Sequence, residues 1–500
     1  MSTRDLIKST LIIGSAQFAS IAISIIRVKI LAIFLGPAGF GLLGLLTSVR
    51  QTAVTFSGLG ISASGVRQIA STKDNQREFG KVRRVMFVAN LCQGAIAACV
   101  VWFLRDKLAL WLLGDISRAN QVGLIGVSVL FALVASSQTA LLQGIRRIGD
   151  LGRLTVLGTA AGSIAGVLVV WVKGLDGIIW LILVEPLAAV IVAHHFTKRI
   201  SLPAVKQFPA REIWRVWRPM ASLGMTFMLS AIIATISLLF VRAKITQELG
   251  LDAAGHFSAS WGITMQYLGF LLGAMSADYY PRLTEVIHDK ATSQNLINAQ
   301  IQIGLALGGP VLLLLVGLAP WAISLLYSPD FQPASEMLQW QTLGNVFRLA
   351  CWPLGFALIA AGRPWIYFFG ELLWNSLYVM LIWFGLPQLE LGIVGIGFAM
   401  SYLIYLGFLV LALRRLQNFK WARTSRLLLI VHSTLTLCCL ALALRAPALG
   451  AIVSILLAIA TAVIGVRILL VKIGTDGRLA TILSKGYGVI GWPLERSDGR

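Results

Sequence analysis

Charge is scarce in this 500-residue chain. Only 13% of its residues are Asp, Glu, Lys or Arg, about half of the roughly 25% typical of a soluble globular protein. Too little charge remains to hydrate a water-facing surface, so a soluble enzyme of several domains is excluded. Acidic residues are scarcer still, 21 against 42 Lys and Arg, for a formal net charge of +21. A nucleic-acid binder gathers such an excess on one solvated face. Here the cations are dispersed between long apolar runs, which excludes that reading and leaves anionic lipid or an anionic transported solute. There are five cysteines: Cys92, Cys99, Cys351, Cys438 and Cys439. They are odd in number, lie inside apolar stretches and lack C-x-x-C spacing, so neither a disulfide framework nor a zinc site is implied. Gly80-Lys81 is followed by Val82 and has no glycine-rich loop before it, which excludes a P-loop and an ATP-driven pump within this chain. No H-E-x-x-H pattern occurs, and His194, His195, His256, His288 and His432 are scattered. No metal or cofactor is expected, and no enzymatic activity: the loops on the expected outer side are too short to build a membrane glycosyltransferase or polymerase.

What the chain has is apolar length. Hydrophobic residues make up 57%, and the mean hydropathy is +0.81. A spanning helix needs about 20 mainly apolar residues for a core about 30 Å thick. Fourteen segments qualify, near 9–34, 39–63, 85–104, 121–144, 153–172, 177–195, 219–241, 254–277, 299–322, 337–361, 365–386, 392–413, 427–444 and 449–471. The expected fold is an all-α polytopic membrane protein. Arg4 and Lys8 precede the first run as in a signal peptide, but the run is too long and no small-residue cleavage site follows, so it reads as the first helix. With the N-terminus inside, 31 of the 42 Lys and Arg fall in cytoplasmic segments and five in outer loops. That asymmetry predicts both termini in the cytoplasm.

Internal symmetry is also legible. Ser15 and Ser230, Arg27 and Arg242, Lys29 and Lys244, and Arg67 and Arg282 are each 215 residues apart; Gly144 and Gly362, Gly152 and Gly370, Gly174 and Gly392, and Gly177 and Gly395 are each 218 apart. Single glycine matches are cheap in a chain with 48 glycines, but an ordered series at each offset points to duplication. The expected organisation is an N-terminal six-helix lobe (1–200), a C-terminal six-helix lobe (211–416), helices 13 and 14 (424–475) and a cytoplasmic tail (476–500). Six helices per repeat make the two repeats parallel, as in several secondary transporters.

Six cations fall within or beside the apolar runs: Arg27, Lys29, Arg50, Arg242, Lys244 and Arg348. A cation at the bilayer centre costs about 2.5–3.5 kcal/mol on the insertion scale, so each must snorkel, pair or face water. Arg27, Lys29, Arg242 and Lys244 lie near helix ends, where snorkelling is an equal alternative. Arg50 and Arg348 lie mid-helix, which favours a water-filled cavity. Gln17, Ser20, Ser24 and Arg27 share one helix face, as do Gln341, Asn345 and Arg348. Two carboxylates interrupt the spans. Glu185 stands beside Pro186, which frees a backbone carbonyl and can kink its helix; Glu371 shares a face with Arg363, Tyr367, Asn375 and Tyr378. Each is a candidate for ion coupling or for a static ion pair with a buried arginine, the static pair being favoured for Glu371.

The first hairpin, Arg27-Val28-Lys29 leading into Leu35-Gly36-Pro37-Ala38-Gly39-Phe40-Gly41 and then Arg50, resembles the start of the O-antigen and polysaccharide repeat-unit flippases. These form the polysaccharide transporter branch of the multidrug/oligosaccharidyl-lipid/polysaccharide exporter superfamily. The resemblance covers about the first twelve helices; members of that branch typically have twelve, whereas fourteen is the count of the related lipid II flippases. It implies a V-shaped, two-lobed carrier with a cationic cavity in the bacterial inner membrane. The implied substrate is an undecaprenyl-diphosphate-linked oligosaccharide for lipopolysaccharide or another polysaccharide, with a polysaccharide polymerase and a chain-length regulator as implied partners. Arg50, Arg348, Arg27, Lys29, Arg242, Lys244, Gln341 and Asn345 are the candidate substrate ligands, because guanidinium pairs with phosphate oxygens in bidentate fashion. The alternatives are an ion-coupled multidrug exporter of the same superfamily, which would call for anionic cavity residues, and a non-catalytic scaffold for glycan assembly.

Overall fold

The computed structural model of the chain describes residues 3–72, 74–200, 210–473, 484 and 487. Residues 201–209 and all of the expected tail but Ser484 and Tyr487 lie outside them. The helices are, in order, α1 (Thr3–Gly58), α2 (Ile61–Thr72), α3 (Gln76–Phe103), α4 (Arg105–Leu113), α5 (Ala119–Gly144), α6 (Ile148–Lys173), α7 (Gly177–Thr197), α8 (Ala210–Val286), α9 (Lys290–Leu326), α10 (Ala334–Ala360), α11 (Pro364–Leu389), α12 (Gly392–Gln417), α13 (Arg423–Arg445) and α14 (Pro447–Ile473). Among the described residues there is no strand.

Eleven helical stretches are long and apolar enough to cross a membrane. Three of them, of 47, 50 and 46 residues, would extend about 70 Å at 1.5 Å per residue, more than twice the hydrocarbon thickness. Each is broken. Helix α1 breaks at Gly36 (φ 62°, ψ −176°) and α8 at Gly250 (φ 86°, ψ 179°), backbone conformations that favour glycine. The third divides between α6 and α7 at Gly174. Each of the fourteen apolar segments of the sequence therefore has its helix. Helices α2 and α4 are additional; their sequences carry charge and are too short to span, so they read as loops. Helix α2 buries Ile61 and Ile69 beside Phe79, Val82 and Met86 of α3 and Leu141 of α5.

By packing, the chain divides into two compact units, Met1–Ser258 with Leu326–Phe331, and Ala259–Leu325 with Gln332–Arg500. The core of the first joins Leu31, Leu42, Leu45 and Val49 of α1 to Val122, Ile125 and Val129 of α5 and Ile178, Leu181 and Ile182 of α7. This unit also contains the bends at Gly36 and Gly250, and they dock reciprocally. A Cβ on Gly41 would lie 2.7 Å from the Gly255 nitrogen and collide with the Leu251 carbonyl; one on Gly255 would lie 2.6 Å from the Pro37 carbonyl carbon. Gly41 and Gly255, like Pro37 and Leu251, are 214 residues apart. The contact is thus self-complementary, as a two-fold relation between duplicated hairpins requires.

In the second unit, Leu313 and Val316 of α9 and Leu343 of α10 pack with Ala399 of α12, Cys439 and Leu440 of α13 and Ala458 of α14. Helices α13 and α14 are seated on glycines: a Cβ on Gly309 would lie 2.9 Å from His432 Cγ, and one on Gly317 would lie 3.0 Å from the Gly450 carbonyl oxygen. Small residues permit this approach, which is what drives helix association in lipid. The repeat recurs in the turns: the Arg147 N–H donates to Leu142 O (3.0 Å) past left-handed Arg146, and the Arg363 N–H to Leu358 O (2.9 Å) past left-handed Gly362.

Candidate functional site

In the first unit, three of the candidate residues meet. Arg27 comes from α1 before its break, Arg50 from α1 after it, and Glu185 from α7. Arg27 Nη1 forms an ion pair with Glu185 Oε1, and Arg50 Nη2 lies 3.9 Å from Glu185 Oε2; the three side chains are 25%, 19% and 24% exposed. Two guanidiniums therefore share one carboxylate, and one positive charge is left over. The Nε atoms of both arginines are buried and, among the described residues, have no hydrogen-bond acceptor. The cluster is under-neutralised as well as under-satisfied, which makes it receptive to an anion with several acceptor oxygens.

Local sequence explains how Glu185 is held. Pro186 has no N–H for the Ile182 carbonyl one turn earlier, and the Ser128 hydroxyl of α5 donates to that carbonyl at 2.6 Å instead. Gly162 of α6 lets α7 approach, since a Cβ there would lie 3.3 Å from Glu185 Cα. The polar stripe below Arg27 partly serves packing: Ser20 shares a 2.8 Å hydrogen bond with Thr159 of α6, and the Ser24 hydroxyl donates to the Ser20 carbonyl.

The other cations of this unit are engaged elsewhere. The buried Arg242 donates from Nη1 to the Gly44 carbonyl and lies over the Phe257 ring, 5.7 Å from its centroid. Lys244 forms an ion pair with Glu248 one turn along α8, and Lys29 is half-buried. The first hairpin thus contributes Arg27 and Arg50 to the cluster, whereas Arg242 ties the second hairpin to the first.

The second unit holds a different arrangement. Arg348 of α10 is half-buried, with Nη1 3.3 Å from Met265 Sδ and its guanidinium 5.8 Å from the centroid of the Tyr402 ring. Among the described residues no carboxylate lies within ion-pair distance of it. Gln341 and Asn345, one and two turns away, are fully buried; Gln341 accepts a 2.7 Å hydrogen bond from Thr264. Glu371 accepts hydrogen bonds from Trp374 Nε1 and the Tyr405 hydroxyl, both at 2.9 Å. No cation among the described residues pairs with it. The static ion pair favoured for Glu371 is therefore found at Glu185 instead. Thr264, Met265, Trp374, Tyr402 and Tyr405 were not singled out from the sequence. Their signal, aromatics at helical spacing on α11 and α12, is the same as that of ordinary packing.

The family profile described as polysaccharide biosynthesis protein matches residues 30–336, well over half of the chain. The chain belongs to the polysaccharide biosynthesis protein family. The match spans Arg50, Glu185 and Arg242 and ends before Arg348. A relative of this family member, the lipid III flippase of Escherichia coli strain K12, is 22% identical over 376 residues, covering 73% of this chain and 88% of that protein. Among solved structures, a lipid II flippase MurJ in an inward closed conformation superposes with a TM-score of 0.68 at 14% identity, covering 92% of this chain and all of that one. An inward-facing multidrug resistance MATE family transporter of the MOP superfamily gives 0.62 at 15% identity, covering 81% of this chain and 96% of that one. These likenesses establish the fold that the family member shares with both.

Proposed function

We propose that the protein is a flippase, not an enzyme, that carries an undecaprenyl-diphosphate-linked oligosaccharide across the bacterial inner membrane by alternating access through a cationic cavity. The cargo would be an O-antigen or other polysaccharide repeat unit. The observation that carries this reading is the pairing of Arg27 and Arg50 with the single carboxylate of Glu185. A diphosphate cannot cross hydrocarbon unaided, and two guanidiniums offer it paired donors in a site sheltered from water. Glu185 acts as the stand-in anion that holds the arginines when no cargo is bound. Arg348, with no carboxylate partner, is the second candidate ligand; Lys29, Arg242, Lys244, Gln341 and Asn345 complete the polar path. The lipid III flippase of Escherichia coli supports a lipid-linked cargo. The lobes 1–200 and 211–416 are proposed as the moving parts, with both termini in the cytoplasm. Outward movement of a negative charge gains about 2.3 kcal/mol per 100 mV of inside-negative potential, so ion coupling at Glu185 or Glu371 would supplement a gradient already present.

The decisive measurement uses the purified protein in liposomes with a labelled polyprenyl-diphosphate sugar. Wild type is expected to move the label between leaflets, and Arg50→Ala to do so at least tenfold more slowly. A lost hydrogen bond to a charged group is worth about 1.5–3 kcal/mol. Equal rates for the two would refute the assignment. A second reading, an ion-coupled exporter of organic cations, is favoured by one feature: Glu371 lies among Trp374, Tyr402 and Tyr405 without a paired cation. Efflux of a cationic dye abolished by Glu371→Gln, with no movement of the lipid label, would establish that reading instead.

A further inference from the structure

The connection between α12 and α13 in the second unit forms a cavity of about 660 Å³ lined by Arg414, Asn418, Phe419, Lys420, Trp421 and Arg426. It stands where two membrane-length helices end and begin, at the level of lipid headgroups. Retention of positive charge on one membrane face accounts for the presence of cations in such a connection. It does not account for the way this one is built. Asn418 closes α12 in a left-handed conformation (φ 54°, ψ 34°), which Asn tolerates better than most residues. The next residues are clamped by two amide side chains of α9. Gln294 donates to the carbonyls of Gln417 (3.4 Å) and Asn418 (3.1 Å) and accepts from the Lys420 N–H (3.3 Å). Asn298 donates to the Lys420 carbonyl (3.0 Å) and accepts from the Ala422 N–H (2.8 Å). Phe419 is buried beneath the connection and meets Trp421 edge-on at 5.7 Å.

A third element points into the same place. Helix α13 begins at Arg423 with Ala422 at its cap position, and that residue has no side-chain acceptor for the N–H groups of the first turn. Those groups, and the positive end of the 23-residue helix, favour an anion. Arg414, Lys420 and Arg426 are exposed, and among the described residues no carboxylate pairs with any of them. We infer that this cavity is a fixed binding site for the phosphate headgroup of an anionic phospholipid. Arg414, Lys420 and Arg426 supply the charge, the start of α13 supplies backbone donors, and Trp421 supplies an aromatic face at the membrane boundary, where Trp is enriched. The clamp from Gln294 and Asn298 holds these groups in place before the lipid arrives, which reduces the ordering cost of binding. This inference does not depend on the flippase reading.

The test is native mass spectrometry of the full chain released from detergent micelles, titrated with phosphatidylglycerol, phosphatidylethanolamine or inorganic phosphate. Wild type is expected to bind one phosphatidylglycerol in preference to phosphatidylethanolamine. The triple variant Arg414→Gln, Lys420→Gln, Arg426→Gln is expected to bind it on the order of a hundredfold more weakly, from about 1 kcal/mol per juxtamembrane cation. Removing the same charge elsewhere, with Arg67→Gln, Arg77→Gln and Arg363→Gln, should leave that affinity within about twofold. Asn298→Ala keeps every cation but releases the connection, and should erase the preference between the two lipids. Equal loss in both triple variants, or an Asn298→Ala protein as selective as wild type, would overturn the built site. Displacement of the lipid by equimolar inorganic phosphate would overturn the lipid assignment.

Discussion

Replacing Glu185 by Gln tests the central electrostatic argument, because it removes one charge and almost no volume. Arg50 lies 3.9 Å from Glu185, and Arg27 is in direct contact with it. At about 4 Å a unit pair is worth about 1 kcal/mol in water and about 4 kcal/mol at an effective dielectric of 20. Side chains that are a fifth to a quarter exposed lie between those limits, so about 2 kcal/mol per arginine is the working figure. In the empty protein Glu185→Gln leaves two neighbouring cations uncompensated, and thermal stability should fall. A diphosphate no longer competes with a resident carboxylate, so its affinity should rise, by roughly 30-fold for 2 kcal/mol. Tighter holding without a displacing anion slows release, and the rate of leaflet reversal should drop at saturating substrate. The assays are binding of a polyprenyl diphosphate in detergent and flipping in liposomes, on the same preparations. Unchanged or weaker binding in Glu185→Gln, together with unchanged thermal stability, would refute the reasoning, since neither the repulsion nor the competition would then exist. A carboxylate that only positioned the arginines would give weaker binding with a lower melting point, which also separates the two roles.

Two further predictions concern packing. Gly41→Ala places a Cβ 2.7 Å from the Gly255 nitrogen; overpacking of this kind costs about 1–3 kcal/mol. The population with the two hairpins in contact should therefore fall by roughly 5- to 150-fold relative to the open one. Spin labels on the two hairpins would report this as a longer distance, Gly255→Ala should reproduce it, and an unaltered distance distribution in both variants would exclude the contact. Gly309→Leu drives a side chain into His432 and should lower the melting temperature of the full chain in detergent by a comparable free energy. A melting temperature equal to that of wild type would show that α13 is not seated on α9 as described.

The helices were legible because each is a long apolar run, and a bilayer tolerates little else. The two bends were legible through Gly36 and Gly250. Helices α2 and α4 were not, since a short amphipathic helix at a membrane face carries the charge and composition of a loop. At the site, Arg27, Arg50 and Glu185 each stood out as an ionisable group in an apolar run, yet nothing in the sequence joined them. Their meeting depends on how α1 and α7 are rotated about their axes, which the spacing within either helix does not determine. The exchange of roles between the carboxylates has the same origin. Glu371 shares a helix face with polar residues, but its partners Trp374 and Tyr405 were invisible until α11 and α12 were placed side by side.

Duplication supplied two copies of the first hairpin, but only one became an anion site. Arg27 has its counterpart in Arg242, and the reciprocal contact between Gly41 and Leu251 and between Gly255 and Pro37 shows that the backbones still match. The chemistry around them does not. At the same offsets, the position equivalent to Arg50 is Met265 and that equivalent to Glu185 is Leu403. Without a second arginine and a carboxylate, Arg242 turns to the Gly44 carbonyl and the Phe257 ring. The second repeat instead carries Arg348, whose place in the first is taken by Leu130. Two equal anion sites would let a diphosphate exchange between equivalent minima with no preferred direction. One compensated cluster in the first unit and one uncompensated arginine in the second are unequal in resident charge, and they give the anion two different resting places. The sequence encodes that inequality in four substitutions on a symmetric scaffold.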